Sequence, residues 1–151
     1  MTPAMQVLMR EIERAWDGFC AALYERSDVG AAMAALDDPV ALVNMPAMTG
    51  GNDRAEVRAH LADEVVGHLP ADLARARVSR TVDTRRLVDE VHWTFTHDRP
   101  LPWLLPGLAP TGRPATVLAI SVVHVRQGRI ATVRTLWDDA RLRRRLLDPA
   151  S

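Results

Sequence analysis

One strand-like row carries two side chains able to do acid–base chemistry. Leu87, Asp89, Val91, Trp93, Phe95 and His97 alternate with Val88, Glu90, His92, Thr94 and Thr96. An apolar row interrupted by one carboxylate and one imidazole is the pattern of a mostly hydrophobic ligand pocket with few polar groups. This row is therefore assigned to the inside, with Trp93 and Phe95 as pocket wall. General acid–base work needs a titratable group whose pKa the site can tune. Asp89 and His97 are the candidate catalytic residues, with Asn44 and His124 as orienting donors. At about 3.3 Å per residue along a strand the two are too far apart to act on one atom. His97 stands beside a proline-rich segment and is the stronger of the pair. The other readings stay open: a structural histidine bonded to that segment, and for Asp89 a surface carboxylate near a turn.

The elements that must position these groups follow from the pattern around them. Thr116 to Arg126 is rich in β-branched residues, Gln127-Gly128 suits a two-residue turn, and Arg129 to Trp137 resumes the strand pattern. A regular hairpin across that turn pairs Val125 with Ile130, His124 with Ala131 and Ile120 with Thr135. One face then carries Leu118, Ile120, Val122, His124, Ala131, Val133, Thr135 and Trp137, and is expected to meet covering helices. The opposite face, with Ala119, Ser121, Val123 and Arg134, is mixed and suits solvent or a second copy of the chain. Thr135 and Trp137 join the substrate-binding set on this basis. Between the strands, Pro100 to Pro114 holds Trp103, Leu104 and Leu105 in a segment too proline-rich for regular structure. Such residues must cover something. A lid is expected, with Trp103 and Leu105 over the pocket mouth and His97 beneath.

Upstream, Val7, Met9, Ile12, Trp16, Phe19, Cys20 and Leu23 form the apolar stripe of a helix over Met5–Arg26. Cys20 lies in that stripe and reads as core. A second helix spans Val29–Leu36 behind Asp28, a short strand Val40–Met45, and a third helix Asp53–Leu69, on which His60 reads as a helix-face residue. A weakly alternating strand covers Leu73–Thr81, and a basic helix Asp139–Leu147 closes the chain. Helix, helix, strand, helix and then four strands make an α+β cone: a curved sheet over three N-terminal helices, open at one end, in a single domain.

The chain has 151 residues, 48% of them hydrophobic and 25% charged, and a formal net charge of zero. No overall electrostatic case exists for nucleic acid or an anionic membrane. All 19 basic residues are arginine, a composition that points to a bacterial source and leaves no lysine for Schiff-base chemistry. The five histidines and one cysteine show no metal-ligand spacing. No metal and no organic cofactor are expected, and the absence of leader and membrane patterns makes the cytoplasm the expected compartment. The expected partners are a small apolar or mixed-polarity molecule and a second copy of the chain.

Several motifs resemble one superfamily. Phe95-Thr96-His97-Asp98, Leu104-Leu105-Pro106-Gly107, Pro110-Thr111-Gly112-Arg113, Gln127-Gly128-Arg129-Ile130 and Leu136-Trp137-Asp138 look like the SnoaL-like branch of the NTF2-like proteins. The resemblance implies an α+β cone and a cofactor-independent cyclase, isomerase or hydrolase, or else a non-catalytic binding or dimerisation module. Asn44-Met45-Pro46 is also similar to limonene-1,2-epoxide hydrolase, whose water-binding Asn falls on Asn44. The Tyr of that family falls on Leu42, the Asp of its last strand on Thr135, and its remaining Asp and Arg near Thr94 and His92. Epoxide hydrolysis by that machinery is not expected.

Overall fold

A computed structural model describes residues 1–148. Helix α1 (Pro3–Cys20) begins where the Thr2 side chain accepts the Met5 N–H, with Pro3 in the first turn, and runs on through a π-helical turn, Ala21–Glu25. Helix α2 (Val29–Ala34) is capped by Asp28, and α3 (Arg54–His60) by Asp53; α3 continues through a π-helical turn (Leu61–Val65) and a 3-10 turn (Val66–His68). Helix α4 (Asp139–Leu147) is capped by Asp138. The strands are β1 (Leu36–Met45), β2 (Thr49–Gly51), β3 (Ala74–Val82), β4 (Arg86–Thr96), β5 (Pro114–Arg126) and β6 (Arg129–Trp137). They form one sheet in the order β2-β1-β6-β5-β4-β3, with β1 and β6 parallel and every other pair antiparallel. β2 was not foreseen. It lies so close to α3 that a Cβ on Gly51 would stand 2.6 Å from the backbone of Glu56 and Val57, so only glycine fits there.

The inside of β4 is as its alternation implies. Leu87, Asp89, Val91, Trp93, Phe95 and His97 are all buried, facing Trp16, Phe19 and Leu23 of α1 and its extension within one core. The hairpin departs from the regular alternation. The Gln127-Gly128 turn has positive φ at both residues and Val125 pairs with Ile130, as expected. The next pair is His124 with Thr132, so Ala131 is an extra residue, and Ile130 and Ala131 are both buried. Strand β1 is irregular at the same level, passing from Leu36 opposite Ile130 to Ala41 opposite Thr132, while the Ile130 N–H is bonded to Ala35 O.

This bulge shifts β5 by one residue against β6 and exchanges its faces. The inner row of β5 is Ala115, Val117, Ala119, Ser121, Val123 and Val125; Leu118 and Ile120 lie outside, Ile120 at 37% exposure. On β6 the expected inner row of Val133, Thr135 and Trp137 stands. His124 is thereby corrected to the outer face, opposite Arg86 and Thr132, and is no pocket-wall residue. Ser121 is corrected to the inside, where its hydroxyl meets that of Thr135 at 2.9 Å. The small residues Ala119 and Ser121 leave space on the concave face next to Trp137 and Thr135.

The two faces differ enough to be read by mutation. Val123→Asp buries an unpaired charge and is expected to cost several kcal/mol within the subunit, whereas Ile120→Asp should change the stability of the isolated subunit by about 1 kcal/mol or less. Urea denaturation of both variants checks the register, and the opposite ranking would place the bulge elsewhere.

Candidate active site

His97 is fully buried, at the root of the segment from Asp98 to Arg113. Its Nδ1 accepts the Thr111 N–H at 3.2 Å and meets the Thr111 hydroxyl at 3.0 Å, while its backbone bonds to Arg113 O and the Gly112 N–H. Its Nε2 is buried with no hydrogen-bond partner among the described residues. Burial holds the imidazole below its usual pKa. The residue is thus the clamp that closes the loop, and its only lone pair is used by the backbone.

Asp89 is equally committed. At 2% exposure it accepts Trp16 Nε1–H (3.1 Å) and both Arg80 Nε–H and an Nη–H (2.7 and 2.8 Å). Arg80 also donates to Asp17 (2.7 and 3.1 Å) and to Glu13 (3.3 Å), which keeps its guanidinium charged. Asp89 is neither a surface carboxylate nor an available base. The structure keeps the two candidate catalytic residues apart, each in its own network.

What converges inside the cone is a different set. Asn44 projects from β1, and its amide donates to Thr49 Oγ1 at 3.1 Å and stands 3.4 Å from His60 Nε2. His60 is 2% exposed, on the inner side of α3, with Nδ1 at 3.6 Å from the Glu64 carboxylate one helical turn on. Burial pushes the His60 pKa down, against a smaller upward pull from Glu64. Thr49 in turn donates to Trp103 O at 2.8 Å. A hydrogen-bonded run of polar groups therefore goes from His60 through Asn44 and Thr49 to the backbone of the loop, with the Glu64 carboxylate nearby but His60 Nδ1 without a hydrogen-bond partner among the described residues. Around it stand Trp16, Phe19, Tyr24, Leu42, Trp103, Val133 and Thr135, continuous with Trp93, Ala119 and Trp137.

The loop lies over this chamber. Leu101, Trp103, Leu104 and Leu105 are all buried, and Trp103 packs against Trp93 with ring centroids 5.2 Å apart. Trp103 stands over the chamber, as expected of a lid, whereas Leu105 is buried in the core beside it, and His97 anchors the loop and lines no part of the chamber. Two void spaces of ≈ 10 and ≈ 20 Å³ remain, room for water and not for a substrate. Of the expected wall residues, Asn44, Trp93, Trp103, Thr135 and Trp137 meet there; Phe95 and Leu105 are core neighbours, and His124 is outside. Sequence reasoning missed His60 and Tyr24, which sit on apolar helical stripes with nothing local to distinguish them. Among the described residues no three His, Cys, Asp or Glu side chains are grouped to hold a metal ion, and no helix is long and apolar enough to cross a membrane.

Chemically, the chamber offers a neutral imidazole whose Nε2 lone pair meets only a side-chain amide, in a low-dielectric space. The Nδ1 side faces a carboxylate that favours the imidazolium once a proton is taken up.

The lowered pKa values of His60 and His97 make stability pH-dependent. Below the ordinary histidine value of 6.5 the unfolded chain binds protons that the folded chain refuses, so stability falls as pH falls. Chemical denaturation between about pH 7.5 and 5 is expected to show that slope, and His60→Gln to make it shallower.

Comparison with known proteins agrees with this architecture. No curated protein matches the sequence. An NTF2-like protein of unknown function from Burkholderia pseudomallei K96243 is similar in structure (TM-score 0.68, 23% identity, 91% of this chain and 98% of that one). So is a protein described as a SnoaL-like polyketide cyclase from Jannaschia sp. CCS1 (0.71, 14%, 99% and 97%). An LEH-like epoxide hydrolase from M. tuberculosis gives 0.65, 17%, and 96% and 92%. The SnoaL-like domain family matches residues 16–133, and the chain belongs to that family.

Proposed function

We propose that the protein is a cofactor-independent small-molecule enzyme, a cyclase, isomerase or hydrolase, in which His60 is the general base. The observation that carries this reading is the buried His60–Asn44 pair inside a closed, aromatic-walled chamber. Burying an imidazole and an amide away from water stabilises nothing that an apolar pair would not. Perturbed titratable groups in such enclosures are the mark of a functional site. In this reading the substrate or a water displaces the Asn44 amide from Nε2 and gives its proton to that nitrogen. Glu64 steadies the imidazolium, and Asn44 turns to hold the developing negative oxygen or the water. Trp103 and its loop open to admit the ligand and close to exclude solvent. Membership of a family that includes cyclases, isomerases and epoxide hydrolases supports the reaction class.

Turnover of small epoxides, conjugated enones and β-keto esters by the purified protein is the test. At least one class is expected to react, and His60→Gln to lower kcat by about 10²–10⁴-fold, the range for removing a general base. No turnover of any class, with ligand binding unchanged in His60→Gln, would leave a binding module instead.

The second proposal concerns assembly. Leu118, Ile120 and Leu136 lie side by side on the outer sheet face, each 37–41% exposed, beside a hollow bordered by His92, Asp138 and Arg141. A second copy of the chain covers this face, because a contiguous apolar patch on a sheet favours a self-complementary contact. Sedimentation at about 10 µM should find a dimer, in the range where standard interfaces are populated, and Ile120→Asp should convert it to a folded monomer.

A further inference from the structure

Strand β3 is the free edge of the sheet, and its inner side is made of arginine. Arg75 lies opposite Trp93, Arg77 opposite Val91 and Arg80 opposite Asp89, the odd spacing being absorbed by a bulge between Arg77 and Ser79. Facing them across a groove of ≈ 410 Å³ are Asp17, Cys20 and Glu25 from α1 and its extension. The inner end of the groove is saturated, since Arg80 is shared by Asp89, Asp17 and Glu13. The other end is not. Arg75 and Arg77 form no ion pair among the described residues, and the buried Arg75 Nε has no acceptor.

Arg75 is nonetheless held in place. Its guanidinium stacks 4.5 Å from the centroid of Tyr24 and 5.3 Å from that of Trp93, contacts that position a cation through its face and leave its edge donors free. Tyr24 and Trp93 are also walls of the chamber, so the guanidinium packs on the groove side of a wall that the chamber shares. Cys20 lies within hydrogen-bonding reach of Arg75, but burial pushes its thiol up to about 12, so it is a weak neutral acceptor and supplies no counter-charge.

We infer that this groove takes the carboxylate of a monoanionic organic acid on Arg75, with Arg77 at the rim, and directs the apolar remainder of the molecule past Tyr24 and Trp93 towards the chamber. The inference rests on the chamber being the reaction site and adds the substrate class. A carboxylate matches the planar fork of a guanidinium, and the charge-assisted bond is short and strong. Asp17, Asp89 and Glu25 set the upper limit on ligand charge. Doubling the ligand's charge doubles its attraction to the arginines and its repulsion from the carboxylates alike, whereas the cost of desolvating it rises with the square of the charge, so a monoanion is favoured over a phosphate dianion.

Titration of the intact protein with benzoate, benzamide and phenyl phosphate, followed by tryptophan fluorescence, tests this. Benzoate is expected to bind at least tenfold more tightly than benzamide and than phenyl phosphate, with affinity falling as sodium chloride rises. Arg75→Gln should erase the preference for benzoate over benzamide, and His60→Gln should keep it, since the anchor does not depend on the base. If Arg75→Gln does not fold, the benzoate-to-benzamide ratio in the wild-type protein and its salt dependence decide. Equal binding of the two, no binding of benzoate, or an unchanged preference in Arg75→Gln would overturn the inference. Loss of the preference in His60→Gln would assign the discrimination to the chamber instead. Failure of His60→Gln to affect turnover bears on the base alone.

Discussion

The position of α1 against the sheet depends on one buried carboxylate. Asp89 would be costly inside the core on its own, and it is tolerated because three N–H donors from two directions converge on it: the Trp16 indole and two from Arg80. One partner comes from the helix and the other from the edge strand, so the contact joins α1, β3 and β4 at a single point. Trp16 is thereby fixed between the groove and the chamber, lining both. Removing one member of such a set leaves a buried charge uncompensated, at a cost of about 3–5 kcal/mol. Replacing all of it with apolar residues would cost much less. The cluster therefore specifies where the helix sits more than it adds to stability.

The legible parts of the fold were those where the alternation ran without interruption. Strand β4 pairs residue for residue with β5 along its whole length, so the inside row from Leu87 to His97 could be read directly. The hairpin turn was legible from Gln127-Gly128. The face of β5 was not, because one extra residue at Ala131 reverses β5 relative to β6, at the level where the neighbouring strand β1 is also irregular. Arg80 shows the same limit: without the bulge after Arg77 it would point away from Asp89, and nothing in the sequence of β3 announces that bulge.

The site was harder to read than the fold for a related reason. Burial of Asp89 and His97 follows from alternation, but availability depends on what else is bonded to them. His97 has its acceptor nitrogen occupied by a backbone N–H, an interaction tied to the closure of the loop. His60 has its acceptor nitrogen opposite a side-chain amide at 3.4 Å, a partner that a side-chain rotation can remove. Both are buried imidazoles with lowered pKa values. On the role proposed for His60, the difference between a clamp and a base is the replaceability of one partner, and no spacing in the sequence encodes it.

That difference extends to the loop. The Thr49 hydroxyl accepts from Asn44 and donates to Trp103 O, so the Asn44 amide is oriented by a group that the closed loop itself orients. In the proposed opening of the loop, Thr49 would lose its acceptor and the hold on the Asn44 amide opposite His60 would relax. Trp103 would leave the chamber in the same movement, because the carbonyl that Thr49 grips and the indole that fills the space belong to one residue. His97 keeps the loop anchored throughout, bonded as it is to Thr111, Gly112 and Arg113 at the base. In that proposal, access to the chamber and the orientation of its polar pair are one motion about one clamp. The closed chamber keeps the lone pair of His60 opposite the Asn44 amide, and opening would uncover it together with the space for a ligand.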